Sequence, residues 1–375
     1  MKTLLPILAE NGVPKFLLAA ACCLVVNLPA APQAADTVPS PYGKVIVTDG
    51  GCGGFEAWPD VKRLDNGELL VAFYAGSAHG SPPTDKRPNS GKMALVRSKD
   101  NGVTWGPVET IVDTRDDDHD GSLQQLRDGT LICNYFIDIY YRMVDGKEVR
   151  GHWWKIATRC VRSKDRGKTW SKPIEIEGPW SYVSATSDSV LQRDDGVLLM
   201  PVYGWEHTGP WRSGVLFSRD QGQTWGDFVL IEEDTRRGGT CEPALVKLPG
   251  GRILCMTRNK MAQSVSSDGG RTWSKPQTIP FFGDAPGLLY TSKGLLLCAM
   301  RHKGTSVIVS PDEGKTWRGA YRIDTVRGAY PSMCELADGT VFCVYYEEGP
   351  GSNIRAVRFR PRADGIDFVP PAEWK

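Results

Sequence analysis

Twelve positions tied to a repeated turn hold the residues best suited to chemistry in this chain. Glycine-containing turns recur at Asn66-Gly67, Asp128-Gly129, Asp195-Gly196, Gly250-Gly251, Lys293-Gly294 and Asp338-Gly339. Nine residues before the second turn residue stand Trp58, Asp120, Ser187, Glu242, Ala285 and Tyr330. Seven residues after it stand Tyr74, Phe136, Tyr203, Arg258, Arg301 and Tyr346. In a two-residue hairpin both sets lie near each other, at the end away from the turn. A repeat that served folding alone would place like residues at like offsets. This one places two arginines, two acids and several tyrosines there, the polar convergence expected of a concave site. Guanidinium groups make paired hydrogen bonds to carboxylates, and a tyrosine beside an acid has a base for its proton. The set reads as a functional site.

The elements that must position these residues are strands. Aliphatic runs follow the turns, as in Glu68-Leu-Leu-Val-Ala-Phe73 and Thr130-Leu-Ile-Cys-Asn-Tyr135. A second repeat, Ser-x-Asp-x-Gly-x-Thr-Trp, occurs five times, at 98–105, 163–170, 218–225, 266–273 and 310–317. Its Asp and Gly suit a tight turn, its hydroxyls bond turn backbone, and its Trp pins the turn to a sheet. The boxes are expected to be folding devices on the outside of the blades. One box follows each of the first five hairpins, so each unit reads strand, hairpin, strand, strand, box, strand. Six such units predict an all-β fold, a six-bladed β-propeller of four-stranded antiparallel blades. The sixth unit lacks a box. Ile354-Arg-Ala-Val-Arg-Phe359 is its expected third strand, and Lys44-Val-Ile-Val-Thr48 is expected to supply the fourth and close the ring.

The chain has 375 residues, 41% of them hydrophobic, and a formal charge of +1. That balance gives no bulk electrostatic case for nucleic acid or an anionic membrane as partner. Residues 1–35 read as a signal peptide: an early Lys2 and Lys15, an apolar run from Phe16 to Leu28, and small residues over Ala30–Ala35. The expectation is export to the periplasm or beyond, with residues 36–375 as one domain and no membrane association after cleavage. Cys133, Cys255, Cys298 and Cys343 each stand four residues after the hairpin glycine of their own unit. Equivalent positions on separate sheets about 10 Å apart cannot be bridged, so these are expected to be buried free thiols. Asp116-Asp-Asp-His-Asp120 is an acidic run at the mouth that could bind calcium through hard oxygen ligands but reads first as a solvated loop, and the five histidines, His79, His119, His152, His207 and His302, show no metal-ligand spacing. No cofactor motif is present, and neither a cofactor nor a metal is expected.

The chemistry-bearing segments resemble those of bacterial exo-sialidases. Arg327-Gly-Ala-Tyr330-Pro-Ser-Met-Cys-Glu-Leu-Ala-Asp-Gly-Thr, ending Val344-Tyr-Tyr-Glu347, is similar to that family's final blade. Cys241-Glu242-Pro-Ala-Leu-Val-Lys-Leu, leading to Met256-Thr-Arg258-Asn259, resembles its glutamate strand and the arginine that follows. Ala299-Met-Arg301 resembles its last arginine. The resemblance implies an exo-acting, retaining glycoside hydrolase for terminal sialic acid or a related acidic sugar on a glycan. Tyr330 would be the nucleophile, since a neutral phenol is not repelled by the substrate carboxylate and tyrosine is a known exception among retaining glycosidases. Glu242 would be its base, and Arg258 and Arg301 would clamp the carboxylate. Asp85, the only acid in the loop after the first unit's second strand, would protonate the leaving oxygen. Asp120, Trp58 and Glu347 would contact substrate.

One position departs from the family pattern. An arginine is expected two residues before Pro59, and Ala57 stands there. Arg63, Arg87 or Arg97 would have to complete the clamp, or the clamp is incomplete and Glu347 loses its usual partner. Ser77 also stands where an arginine often follows the second strand. The alternatives are a glycosidase for a different acidic sugar and a glycan-binding propeller without turnover.

Overall fold

The computed structural model describes residues 40–206, 209–231, 238–258, 261–349 and 352–375. The expected signal segment and His207 lie outside them. Among the described residues there is no α-helix, only strands and two short 3-10 turns at Pro249–Gly251 and Pro371–Glu373. Among the described residues no helix is long and apolar enough to cross a membrane.

The strands fall into repeated antiparallel sets. The first holds Phe55–Arg63, Leu69–Gly76, Lys92–Ser98 and Glu109–Val112 in sequential order. Cys241–Lys247 to Gln277–Thr278 and Asp284–Tyr290 to Arg318–Asp324 form two further four-stranded sheets of the same order. A nine-stranded sheet contains the second and third units, joined by a single parallel pairing of Val183 with Ile156. The last unit pairs Gly328–Glu335, Val341–Glu347 and Asn353–Arg362. On the outer edge of Asn353–Arg362 lies the N-terminal strand Lys44–Val47, with Lys44 opposite Ala356. A strand the sequence reading did not anticipate, Gly365–Val369, pairs farther along the same edge.

Five of the six first strands carry the same irregularity. Two residues, Trp58 and Pro59, oppose the single Phe73, because Ala57 pairs with Tyr74 and Asp60 with Ala72. The same two-against-one bulge places Asp120-Gly121, Glu242-Pro243, Ala285-Pro286 and Tyr330-Pro331 outside the ladder. The leading residue of each pair is left-handed, with φ of 48° at Trp58, 48° at Asp120, 49° at Glu242, 51° at Ala285 and 45° at Tyr330. For an L-residue that conformation costs on the order of 1–2 kcal/mol. Proline at the second place removes an N–H for which the bulge offers no ladder partner. Side chains of neighbouring units stitch the strands beyond the bulge. Leu123 N–H donates to Asp60 Oδ2 (2.6 Å), Val61 N–H to Ser332 Oγ (3.1 Å) and Leu245 N–H to Asp188 Oδ2 (2.8 Å).

The boxes form the expected turns. In each, the Ser hydroxyl accepts the Gly N–H at 2.7–2.8 Å and the Asp carboxylate accepts the Thr N–H at 2.7–2.9 Å. They also join one unit to the next. A Cβ on Gly102 would stand 2.4 Å from Phe342 of the last unit, and one on Gly222 would stand 2.7 Å from Ile132 of the second. Gly270 meets Leu199 and Gly314 meets Leu254 in the same way. In these four boxes the glycine seats on the unit before it and is needed both for its positive φ and for that close approach; in the second box Arg97 Nη2 of the first unit donates to the Gly167 carbonyl at 2.9 Å.

Among the described residues none of the eight cysteines is in a disulfide. Cys133, Cys255, Cys298 and Cys343 are buried in four different hydrophobic clusters, as equivalent positions on separate sheets require.

Hydrogen bonds from Thr272 lead the causes that hold the Asp268 carboxyl at about 2, below the ordinary value near 3.9. A depressed folded-state value means stabilisation that is full above about pH 4 and is lost as pH falls toward about 2. Thermal melts from pH 7 to pH 2 should show stability falling across that window. Asp268→Asn should be less stable at pH 7 and show a shallower fall; an unchanged acid slope would remove the box carboxylates from acid unfolding.

Candidate active site

The bulges of the fourth and last units bring Glu242 and Tyr330 together. Tyr330 Oη donates to Glu242 Oε1 at 2.7 Å. Arg258, opposite Cys241 in the fourth unit, sends Nη1 to the same Glu242 oxygen at 2.7 Å and to Tyr330 Oη at 2.8 Å. The phenol proton thus already points at a carboxylate, and a fixed cation sits where phenolate charge would form. Arg258 Nε also reaches Asp284 Oδ1 at 3.3 Å. Burial opposes the charge on Arg258, but the Glu242 carboxylate and Tyr330 outweigh it and hold the guanidinium protonated.

Arg301 flanks Tyr330 from the fifth unit. Its guanidinium carbon stands 5.1 Å from the Tyr330 ring centroid, and Nε donates to the Gly328 carbonyl at 2.7 Å. Tyr346 lies 6.2 Å from Tyr330, centroid to centroid. Asp120 is buried, and burial followed by the nearby Glu242 charge pushes its carboxyl well above the usual range. Trp58 packs edge-on to Tyr330 at 6.3 Å. These bulge residues line one end of a cavity of about 340 Å³ whose walls come from first-strand segments of all six units. Arg258 and Arg301 are not among its lining residues, so arginine cluster and cavity meet at Glu242 and Tyr330.

Three expectations need correction. Asp85 does not join this cluster: its side chain is 99% exposed and its ion-pair partner is Arg150 at 3.3 Å. Arg150 sits on an extension formed by the long strands Leu131–Val144 and Lys147–Ser163 of the second unit, which the repeat pattern did not announce. Glu347 also points elsewhere. Successive residues of a strand face opposite ways, so with Tyr346 beside Tyr330, Glu347 turns to Arg355, 3.0 Å away. Its partner is this arginine of the same unit and no residue of the cleft. The acidic run is no solvated loop either. Asp116, Asp117, Asp118 and Asp120 are all buried, as is His119. Three of the carboxylates have backbone N–H or ion-pair partners, with Thr114 N–H on Asp118 (2.6 Å), Ser81 N–H on Asp117 (2.6 Å) and Arg159 on Asp116 (2.7 Å).

Ala57 is fully buried. Beside it Trp58 sits in an aromatic cluster with His119 (4.3 Å), His79 (4.8 Å), Tyr74 (5.1 Å) and Tyr346 (6.0 Å). Of the three substitute cations, Arg97 pairs with Glu109 (2.6 Å), and Arg63 is solvent-exposed at the hairpin end of its strand. Arg87 ties the loop 77–91 to the Cys52 carbonyl (2.9 Å) and the Ser77 hydroxyl (2.8 Å). Asp284 and His79 escaped the sequence reading. Asp284 had a legible signal, since it stands ten residues before the glycine of its own hairpin, the position that pairs directly with Arg301. His79 had none, being a loop residue placed only by tertiary packing.

The buried Arg258–Glu242 pair sets up a double-variant test. Arg258→Met should destabilise the protein by roughly 3–5 kcal/mol, because it leaves a carboxylate buried without its main cation. Arg258→Met/Glu242→Leu should recover part of that loss in denaturant titration. A single variant as stable as wild type would show the pair to be energetically idle.

Against this geometry, the comparisons with known proteins agree with one another. The BNR repeat-like domain family matches residues 143–343, more than half of the chain. The anhydrosialidase of Macrobdella decora is 28% identical over 187 residues, covering 40% of this chain and 23% of that protein. The sialidase of Micromonospora viridifaciens is 25% identical over 411 aligned positions, covering 94% of this chain and 60% of that protein. The chain therefore spans between about a quarter and three fifths of these relatives' lengths. A crystal structure of a protein of unknown function from Dyadobacter fermentans superposes with a TM-score of 0.71 at 21% identity, covering 86% of this chain and all of that one. Five serine–aspartate boxes, the bulged glutamate and tyrosine strands and these matches together place the chain in the BNR repeat-like family of the sialidase superfamily.

Proposed function

We propose that this protein is an exo-acting retaining glycoside hydrolase for an acidic sugar, with Tyr330 as nucleophile and Glu242 as its base. The observation that carries the reading is the triangle of Tyr330 Oη, Glu242 Oε1 and Arg258 Nη1 at 2.7–2.8 Å. As Tyr330 attacks the anomeric carbon, its proton passes to Glu242, the glycosidic C–O bond breaks and the leaving oxygen takes a proton from solvent; water then hydrolyses the tyrosyl intermediate and restores the phenol, with Arg258 stabilising the charge on both protein oxygens. Arg258 and Arg301 offer cations on two sides of the nucleophile for a carboxylate on that carbon. Asp120 and Trp58 border the same space. The substrate is a terminal sialic acid or a relative of it on a glycan.

The architecture we propose for this chemistry is a closed six-bladed propeller. First-strand segments of all six units line one cavity, and the box of the first unit seats on the last. We further propose that residues 1–35 direct export, as their charge and apolar pattern suggest.

A second reading has its own support. The pattern arginine is replaced by buried Ala57 beside a packed aromatic cluster, and Asp85 is turned toward Arg150. Both features favour an acidic sugar other than simple N-acetylneuraminic acid.

A panel of fluorogenic acidic glycosides assayed at pH 5–7 tests these readings. Tyr330→Phe should lower turnover at least a thousandfold, about 4 kcal/mol of barrier, while leaving the fold intact by circular dichroism. A fluorinated substrate analogue should label Tyr330; labelling of another residue by a competent trap would end the assignment.

Ala57→Arg separates the two substrate readings. If the aromatic cluster serves a different sugar, the substitution should destabilise the protein and fail to raise sialoside turnover. A tenfold or greater gain on sialosides would mark the site as a sialidase lacking one carboxylate contact, worth roughly 1.5–3 kcal/mol.

A further inference from the structure

Behind the cleft, three buried side chains from two strands of the second unit converge. Ligand-capable atoms of Asp117, His119 and Asp138 lie within 4.8 Å of one another. Asp117 is 0% exposed, His119 3% and Asp138 9%. His119 Nε2 stands 2.8 Å from the His79 carbonyl oxygen. A carbonyl only accepts, so Nε2 carries the proton and Nδ1 presents a lone pair. That Nδ1 is buried without a hydrogen-bond partner, and so is Asp138 Oδ1. Among the described residues neither carboxylate is ion-paired with a lysine or arginine. Two neighbouring buried carboxylates without a cation are costly.

A histidine that fixes its tautomer by donating one ring N–H to a backbone carbonyl, and offers the other nitrogen to a space shared with carboxylates, has the arrangement of a metal ligand and its supporting shell. We propose that Asp117, His119 Nδ1 and Asp138 bind one divalent first-row cation, Zn²⁺ or Mn²⁺. One imidazole and two carboxylates suit these ions better than the all-oxygen preference of Ca²⁺ or Mg²⁺. Asp117 has capacity left for it. Its oxygens accept Tyr74 Oη (2.9 Å), Gly91 N–H (2.9 Å) and Ser81 N–H (2.6 Å), and each oxygen of a carboxylate has two lone pairs.

The ion would hold the loop 77–91 in place. Ser81, Gly91 and the His79 carbonyl all attach that loop to the ligand residues. A Cβ on Gly91 would stand 2.5 Å from Asp117 Oδ1, so the loop backbone lies directly against the carboxylate. His119 also packs on Trp58 at 4.3 Å, linking the site to the cleft floor. The role is positioning, and it is independent of which sugar the cleft takes.

The test uses the whole chain, stripped with a chelator and titrated with Zn²⁺, Mn²⁺, Ca²⁺ or Mg²⁺ by calorimetry and thermal melts. One equivalent of Zn²⁺ or Mn²⁺ should bind, and saturation should raise the melting temperature by about 5 °C. Asp138→Asn and His119→Gln should each weaken binding by roughly a hundredfold. If Asp138→Asn does not fold, the wild-type titration and His119→Gln decide the matter. The proposal is overturned if wild type binds neither Zn²⁺ nor Mn²⁺ at millimolar concentration. A response to Ca²⁺ or Mg²⁺ alone would also overturn it, since the imidazole would not be a ligand. So would an Asp138→Asn variant more stable than metal-free wild type with Zn²⁺ affinity unchanged, the mark of a shared proton in place of the ion.

Discussion

The site depends on one backbone device, the left-handed bulge repeated in five first strands. A regular strand would send side chains alternately to its two faces. The bulge sets two residues against one and turns the first of them out of that alternation. Glu242 and Tyr330 reach each other because both occupy this place in separate units. The conformation costs energy at every copy, and its neighbours compensate. Proline or glycine follows each bulge residue, and side chains of Asp60, Ser332 and Asp188 take up backbone N–H groups just beyond. Strained backbone held by its surroundings is the usual condition of a site residue.

The electrostatics follow from that geometry. Asp120 is buried close to Glu242, and burial followed by that neighbouring charge disfavours charge on Asp120. Arg258 changes the balance by bonding Glu242 and Tyr330 through one nitrogen and Asp284 through another. A lysine could not span those three partners from one planar group. Around this centre the ring of equivalent positions has diverged: Ala285 is small and Trp58 is large, each at a place where another unit carries an acid or a tyrosine.

The scaffold is more tightly interlocked than a set of independent sheets. Four of the five boxes do two things with one turn: hydroxyl and carboxylate satisfy local backbone, and the glycine seats against the preceding unit. A repeat protein must bury faces between neighbours to be stable, and here the boxes contribute to that contact as well as to the outer turns.

Spacing alone revealed much of this. Hairpin glycines and boxes are local chemistry, so the strand order, the strand Lys44–Val47 beside Asn353–Arg362, the separate burial of Cys133, Cys255, Cys298 and Cys343, and the meeting of Glu242, Tyr330, Arg258 and Arg301 were legible in the chain. The prolines after Trp58, Glu242, Ala285 and Tyr330 even marked the bulges, since proline inside a strand calls for one. Side-chain direction was not legible where alternation or a long-range partner decided it. Glu347 faces Arg355 because Tyr346 takes the cleft side, and Asp85 faces Arg150 because an extended hairpin reaches across. The acidic run looked solvated because its partners, Ser81, Gly91 and Arg159, are far away in sequence and come close only when the sheets pack. Local pattern determines which backbone a residue occupies; which charges are buried, and against what, is decided only by the tertiary contacts that exclude water.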